Sequence, residues 1–268
     1  MIHHRALGAQ VLQIQPTPGE SPLFYVSSSA DLSSADAVEP ALSLQPVRGG
    51  VPVLFPQFAD RGPLRKHGFA RDLPWRLQHD TVTSAGAELA YTLEILPHAA
   101  GIIPSWPHAA VLTLQVLAQA QQVRFELQVT NTGQQAFSFT GGLHPYFYVE
   151  QLSACEMHGL DGLAFQDRYP AAGWQSLARG NAAGDPLERL YASAPAITVK
   201  AAGRTLSLRA QGFTQWMVWN PGRALAAQMP DLPAGDWNRF VCIEPVVVDH
   251  PITLEPREVF TGRLEIAW

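Results

Sequence analysis

From Val123 the chain reads VRFELQVTN, which sets Val123, Phe125, Leu127 and Val129 on one side of an extended backbone and Arg124, Glu126, Gln128 and Thr130 on the other. Side chains alternate across a strand, so this period of two describes a half-buried β-strand and excludes a helix, whose apolar face repeats every ~3.6 residues. Leu112, Leu114 and Val116 repeat the pattern upstream, and AQAQQ supplies a hairpin connection. Further strands are expected over Gln10 to Ile14, Leu23 to Val26, Glu88 to Leu96, Phe137 to Gly141, Ile197 to Ala201, Thr205 to Arg209, Gln215 to Trp219, Val241 to Glu244 and Val259 to Ile266. Many short strands punctuated by Gly and Pro predict an all-β chain, a sandwich or a barrel. Helical text is confined to short pieces near Gly222 to Gln228. Ser27 to Ala41 is small and polar enough for a surface loop. With no repeat and no linker, residues 1–268 are expected to form one antiparallel β domain.

A chain this long buries roughly three-quarters of its unfolded surface, so it needs no staples to hold a core. The 47% hydrophobic and 15% charged residues, with a net charge of -5, argue against disorder and against nucleic-acid binding. No apolar run approaches the ~20 residues that cross a bilayer, and the start lacks the layout of a signal peptide, so no membrane partner is expected. Cys155 and Cys242 stand far apart in apolar text and read as reduced, buried thiols of a cytoplasmic protein. His3 and His4 have no carboxylate nearby in sequence and read as exposed.

The most unusual local text is RGGVPVLFPQFADRGPLRKHGFAR, residues 48 to 71. A glycine pair and three prolines exclude a regular helix and predict a shaped loop carried on strands. Gly49 and Gly50 allow a sharp turn or a close approach to a ligand, the turn being the simpler account. Arg48, Arg61, Arg65, Lys66 and Arg71 put five cations here in a chain of net negative charge, so any anion is drawn by a local site and not by the overall field.

Three groups could do acid or base chemistry: His67 in KHGFAR, His144 in GGLHPYFYV and Glu244 in FVCIEPVVV. Each also has a plainer account, as a core histidine bonded to a carbonyl or a strand-end carboxylate in solvent. Glu244 is the hardest to explain that way, because Phe240, Val241, Ile243, Val246, Val247 and Val248 surround it. Burial among them raises a carboxyl toward the range of a general base. Arg48 and Arg71 offer planar forks suited to phosphate or carboxylate oxygens. Trp75, Trp216, Trp219, Trp237, Tyr146 and Phe147 offer flat faces of the kind on which sugar rings stack, with core packing the plainer reading for Tyr146 and Phe147. There is no GxGxxG, Walker loop, HExxH or GxSxG, which disfavours nicotinamide, nucleotide and serine-hydrolase chemistry.

RGGVPVLFPQF at 48 to 58, HGFAR at 67 to 71, GGLHPYF at 141 to 147, LERLY at 187 to 191, VWNP at 218 to 221 and VCIEP at 241 to 245 together resemble the aldose 1-epimerase superfamily. Within it, they are most similar to the glucose-6-phosphate 1-epimerases, or hexose-6-phosphate mutarotases. The resemblance implies a large antiparallel β-sandwich, the galactose-mutarotase-like supersandwich, with no metal and no cofactor. It implies interconversion of the α and β anomers of a hexose 6-phosphate, with His144 as general acid and Glu244 as general base. Arg48 and Arg71 would hold the substrate at its phosphate, His67 would line the pocket, and Glu188 would contact a sugar hydroxyl. The family commonly has Asp for Glu188, Thr for Pro145 and Gln for Lys66, so the preferred hexose phosphate stays open. The partner expected is a small sugar phosphate, and the state expected is a monomer. A carbohydrate-binding protein without turnover, and an epimerase of unphosphorylated sugars, are the alternatives.

Overall fold

The alternating segments form strands, and their apolar faces meet. The computed structural model describes residues 2–15, 19–30, 47–97, 106–170 and 184–268. At its centre Ala110–Gln119 pairs with Gln122–Asn131, with Ala120 and Gln121 as the turn. Leu112, Leu114, Val116, Val123, Phe125, Leu127 and Val129 are all buried on one face of this hairpin. Each such side chain contributes about 1.5–3 kcal/mol relative to exposure.

The hairpin lies within an eight-stranded sheet in the spatial order Glu156–His158, Ile197–Ala201, Arg204–Gln211, Val259–Ala267, Gln122–Asn131, Ala110–Gln119, Gly86–Ile95, Arg76–Thr83. A seven-stranded sheet covers it. Its order is Phe165–Asp167, Leu187–Tyr191, Gln215–Asn220, Phe240–Leu254, Phe137–Leu143, Val53–Leu54, with Tyr146–Tyr148 also paired to Phe240–Leu254. Ile2–Arg5 and Gln10–Ile14 make a separate two-stranded sheet. The alternation left a sandwich or a barrel open, and the antiparallel β-sandwich implied by the family resemblance is the architecture observed.

The strand Phe240–Leu254 explains why its sequence does not alternate. Trp216, Val218, Val241, Ile243 and Val247 pack into the main core between the sheets. Leu190, Met217, Val246 and Val248 pack on the opposite face against Leu54, Phe58 and Ala59. A strand buried on both faces reads as a continuous apolar run.

Several expectations are corrected. Leu23 to Val26 makes only isolated bridges, Phe24 to Phe147 and Val26 to Gly49. Its backbone bonds are divided among three partners: Leu23 donates to the Ile14 carbonyl at 3.0 Å, and Tyr25 donates to the Tyr146 carbonyl at 2.8 Å and accepts from Gly50 at 2.8 Å. Val241 to Glu244 is part of a 15-residue strand. The strand continues through Pro245 and Pro251, with a register shift between Val247 and Ile252. The edge strand Arg76–Thr83 was not expected, because it is exposed along its whole length and has no apolar face to leave a pattern. His4 is not simply exposed: Nδ1 lies 2.8 Å from the Tyr91 hydroxyl and Nε2 lies 3.2 Å from Asp80, a carboxylate remote in sequence. The helix near Gly222 is the short Gly222–Ala226. Of Ser27 to Ala41, the part from 31 onward lies outside the described residues, and Ala30 donates to the Ser27 carbonyl at 3.0 Å. Cys155 and Cys242 are buried free thiols. No helix among the described residues is long and apolar enough to cross a membrane.

Candidate active site

The outer face of the seven-stranded sheet carries the polar residues that its apolar text made conspicuous. Register places Leu190 opposite Met217 and Met217 opposite Glu244, and in the next row Glu188 opposite Trp219 and Trp219 opposite Cys242. Alternation then puts Glu188, Met217, Trp219 and Glu244 on one face. These four line a cleft, and His144, Arg48, His67 and Arg71 line the same cleft. All six site residues expected from the sequence are therefore brought together.

His144 and Glu244 are cross-strand neighbours. The pairs Gly142 to Val246 and Tyr146 to Cys242 flank them on either side, and in that register residue 144 faces residue 244. Nε2 of His144 lies 3.3 Å from Oε1 of Glu244, with the side chains 7% and 2% exposed. The His144 amide donates to the Pro52 carbonyl at 2.9 Å. Its ring stacks on Tyr146 at 4.8 Å and 14° and meets Trp219 edge-on. The imidazole is thus held from three sides. The other polar atoms of the pair, Nδ1 of His144 and Oε2 of Glu244, are buried with no hydrogen-bond partner among the described residues. Such atoms are costly unless something else satisfies them.

Burial dominates both titrations. It holds His144 well below the ordinary imidazole range, assisted by the Arg71 and Arg48 charges and opposed by the residue's own backbone. It pushes Glu244 well above the ordinary carboxyl range, helped by the like charge of Glu188 and opposed by Lys66 and Arg71. Both directions favour a neutral pair that holds one transferable proton.

The segment from Arg48 to Arg71 forms the facing wall. Gly49 and Gly50 have φ of 128° and 61°. A Cβ at either would run into the backbone of Tyr25 or Val11, so the glycines serve close strand packing and not a ligand. His67 also has a positive φ, 66°, unusual for a residue with a side chain. Two bonds hold it there: its amide donates to the Ala59 carbonyl at 2.9 Å, and its Nδ1 accepts from the Ala59 amide at 3.3 Å. That acceptor role assigns the ring proton to Nε2. Burial, then the His144 and Arg71 charges, hold His67 far below its ordinary value, so it is a neutral donor.

Arg48 reaches Asp231 through Nε at 2.9 Å and the Tyr146 hydroxyl through Nη1 at 3.4 Å. Arg71 donates to the Lys66 carbonyl at 3.3 Å and stands 4.0 Å from Asp72. Glu188 accepts from Arg168 at 3.3 Å. Arg168 lines the cleft and was missed in the sequence, since it follows the short edge strand Phe165–Asp167 and carries no motif. Phe58, Met217 and Met229 were also missed. Of the aromatic residues, Trp219 and Tyr146 reach the cleft, whereas Trp75, Trp216, Trp237 and Phe147 belong to the main core.

His144, Cys242 and Glu244 each turn a possible metal-ligand atom to within 4.8 Å of the others. A tetrahedral zinc bonded at about 2.0–2.3 Å needs donors roughly 3.5 Å apart, so the trio would have to draw in to hold one.

Similarity to known proteins bears on the family and the fold. The pattern of the aldose 1-epimerase family matches residues 3–267. A Cenchrus ciliaris protein provisionally named glucose-6-phosphate 1-epimerase is 30% identical over 274 residues, covering 97% of this chain and 79% of its own length. One of the same provisional name from Escherichia coli is 30% identical over 244 residues, covering 88% and 76%. The crystal structure of a provisionally named mutarotase from Salmonella typhimurium superposes with a TM-score of 0.79 at 26% identity, covering 98% of this chain and 84% of that one. The fold is the mutarotase-like sandwich, and the chain belongs to the aldose 1-epimerase family.

Proposed function

We propose that this protein interconverts the α and β anomers of a hexose 6-phosphate, using His144 and Glu244 as the acid and base. The observation that carries the reading is the buried 3.3 Å contact between these side chains, each with an unpartnered polar atom, in a cleft also lined by Arg48 and Arg71. Mutarotation removes the proton of the anomeric hydroxyl and gives one to the ring oxygen. The C1 to ring-oxygen bond breaks, leaving an open-chain aldehyde. C1 turns about its bond to C2, and the ring closes on the other face as both proton transfers reverse.

A pair sharing one proton suits this cycle. Ring opening takes the proton from one partner and leaves one on the other, and ring closure returns it, so the pair ends the cycle as it began. Nothing in the sequence of steps calls for an electron acceptor or a covalent adduct. Neutral His67 adds a donor from Nε2 to a sugar oxygen, and Glu188, braced by Arg168, accepts from a hydroxyl. Trp219 supplies an apolar face for the ring. Arg48 and Arg71 bind the phosphate, in keeping with the names of the Cenchrus and Escherichia relatives. The two buried free thiols support a cytoplasmic setting, where phosphorylated sugars are handled.

The test is magnetisation transfer between the two anomeric proton signals of glucose 6-phosphate at equilibrium. Catalytic amounts of protein are expected to speed this exchange far above the spontaneous rate. Exchange at the spontaneous rate, with binding retained, would instead support a sugar-binding protein. Equal acceleration of glucose and glucose 6-phosphate would support an epimerase of free sugars.

A further inference from the structure

The five cations between residues 48 and 71 are not equivalent. Arg48 is paired with Asp231 at 2.9 Å, Arg61 with Asp249 at 3.6 Å, Arg65 with Asp72 at 3.3 Å, and Arg71 stands 4.0 Å from Asp72. Arg168, across the cleft, is paired with Glu188 at 3.3 Å. Lys66 lines the cleft, is exposed, and has no carboxylate partner among the described residues. Its backbone carbonyl receives Arg71 Nη2, so the two residues are tied together at one side of the cleft.

This distribution bears on which anion the cleft accepts. An arginine already facing a carboxylate can donate a fork of hydrogen bonds, but the pair carries little net charge toward a ligand. Asp72 serves both Arg65 and Arg71, so those two keep one positive charge between them, and Lys66 is the cation of this segment with no carboxylate partner among the described residues. A phosphate monoester carries about -1.5 to -2 near neutral pH, whereas a sulfate monoester of the same shape carries one charge. Geometry alone, three oxygens on two guanidinium forks, treats the two alike. The second charge is what an unpaired ammonium can read.

We propose that Lys66 is a specificity-determining residue that selects substrates with a dianionic group, so that the enzyme takes hexose phosphates and discriminates against monoanionic hexoses of equal shape. This rests on the reading of the cleft as a hexose 6-phosphate site. It also gives a physical role to a lysine where the resembling family commonly has glutamine.

The test uses ligands without an anomeric hydroxyl, so that binding is separated from turnover. Calorimetry at pH 8 compares 1,5-anhydroglucitol 6-phosphate with its 6-sulfate. The native protein is expected to bind the phosphate about tenfold more tightly, a difference of about 1.4 kcal/mol. Lys66→Gln is expected to bring the ratio to within about twofold, and Lys66→Arg to restore it. A Lys66→Gln protein that keeps the tenfold ratio overturns the proposal, as does a native protein with no preference. Failure of the mutarotase reading would register separately, as absent turnover of glucose 6-phosphate with the binding ratio intact.

Discussion

Residue 144, in the two-residue break between the strands Phe137–Leu143 and Tyr146–Tyr148, faces residue 244 of the long strand that pairs with both, flanked by the pairs Gly142 to Val246 and Tyr146 to Cys242, and their side chains meet at 3.3 Å. The register of the strand pairs on either side of this break therefore sets the distance between the proposed acid and base. Groups held on rigid strands are positioned more closely than groups on loops. Pro145 falls beside this position and has no amide hydrogen to donate to a ladder bond where the pairing is interrupted.

Because the pair acts as a unit, its losses should not add. Glu244→Gln and His144→Ala are each expected to lower kcat for glucose 6-phosphate anomerisation by about 10²–10⁴-fold. The double variant should be little worse than the poorer single one. Magnetisation-transfer NMR measures all three, and circular dichroism verifies the fold. Turnover near the native rate in either single variant would remove that residue from the mechanism.

The same pair should cost stability in a pH-dependent way. Glu244 has its folded value raised above 4.5, mainly by burial. Its contribution to stability is therefore full below about pH 4.5 and is lost as pH rises toward the folded value, with a slope of up to about 1.4 kcal/mol per pH unit. Gln at this position does not titrate. The melting temperature of Glu244→Gln minus that of the native protein is thus expected to grow between about pH 5 and pH 8. A difference that stays flat over this range would show that the carboxyl is not desolvated.

What could be read from the sequence follows from how each residue earns its environment. The hairpin around Phe125 was legible because one of its faces is buried and the other wet. The strand through Glu244 was legible as chemistry, since a carboxyl set among Phe240, Val241, Ile243, Val246, Val247 and Val248 is hard to explain as a strand end in solvent, and all six are buried. Its length was not, because prolines imitate ends. Arg76–Thr83 was invisible for the opposite reason, having no buried face at all. In the cleft, His67, His144, Arg48 and Arg71 stood in dense motifs. Arg168 depends on a strand pairing, Phe165–Asp167 with Leu187–Tyr191, that no local pattern encodes.

Gly50 tests the wall that carries the arginines. With φ of 61° and the Val11 backbone where a Cβ would stand, Gly50→Ala is expected to destabilise the fold by about 1–3 kcal/mol. The urea midpoint should fall by the corresponding amount. An unchanged midpoint would mean that the strand carrying Val11 can shift without cost.

Arg71 separates the phosphate from the sugar. Its side chain is 26% exposed, with the Asp72 carboxylate 4.0 Å away, so much of its hydrogen-bonding capacity is available to a ligand. A charged hydrogen bond contributes about 1.5–3 kcal/mol, which corresponds to roughly 10- to 150-fold in affinity. Arg71→Ala is therefore expected to raise KM for glucose 6-phosphate by at least about tenfold while changing KM for glucose far less. Arg71→Lys should recover only part of the loss, because a point charge replaces a fork that meets two oxygens at once. Steady-state anomerisation of both sugars decides it. Equal losses for the two would place Arg71 against the ring instead of the phosphate, and would leave Arg48, held by Asp231 and Tyr146, as the principal anion contact.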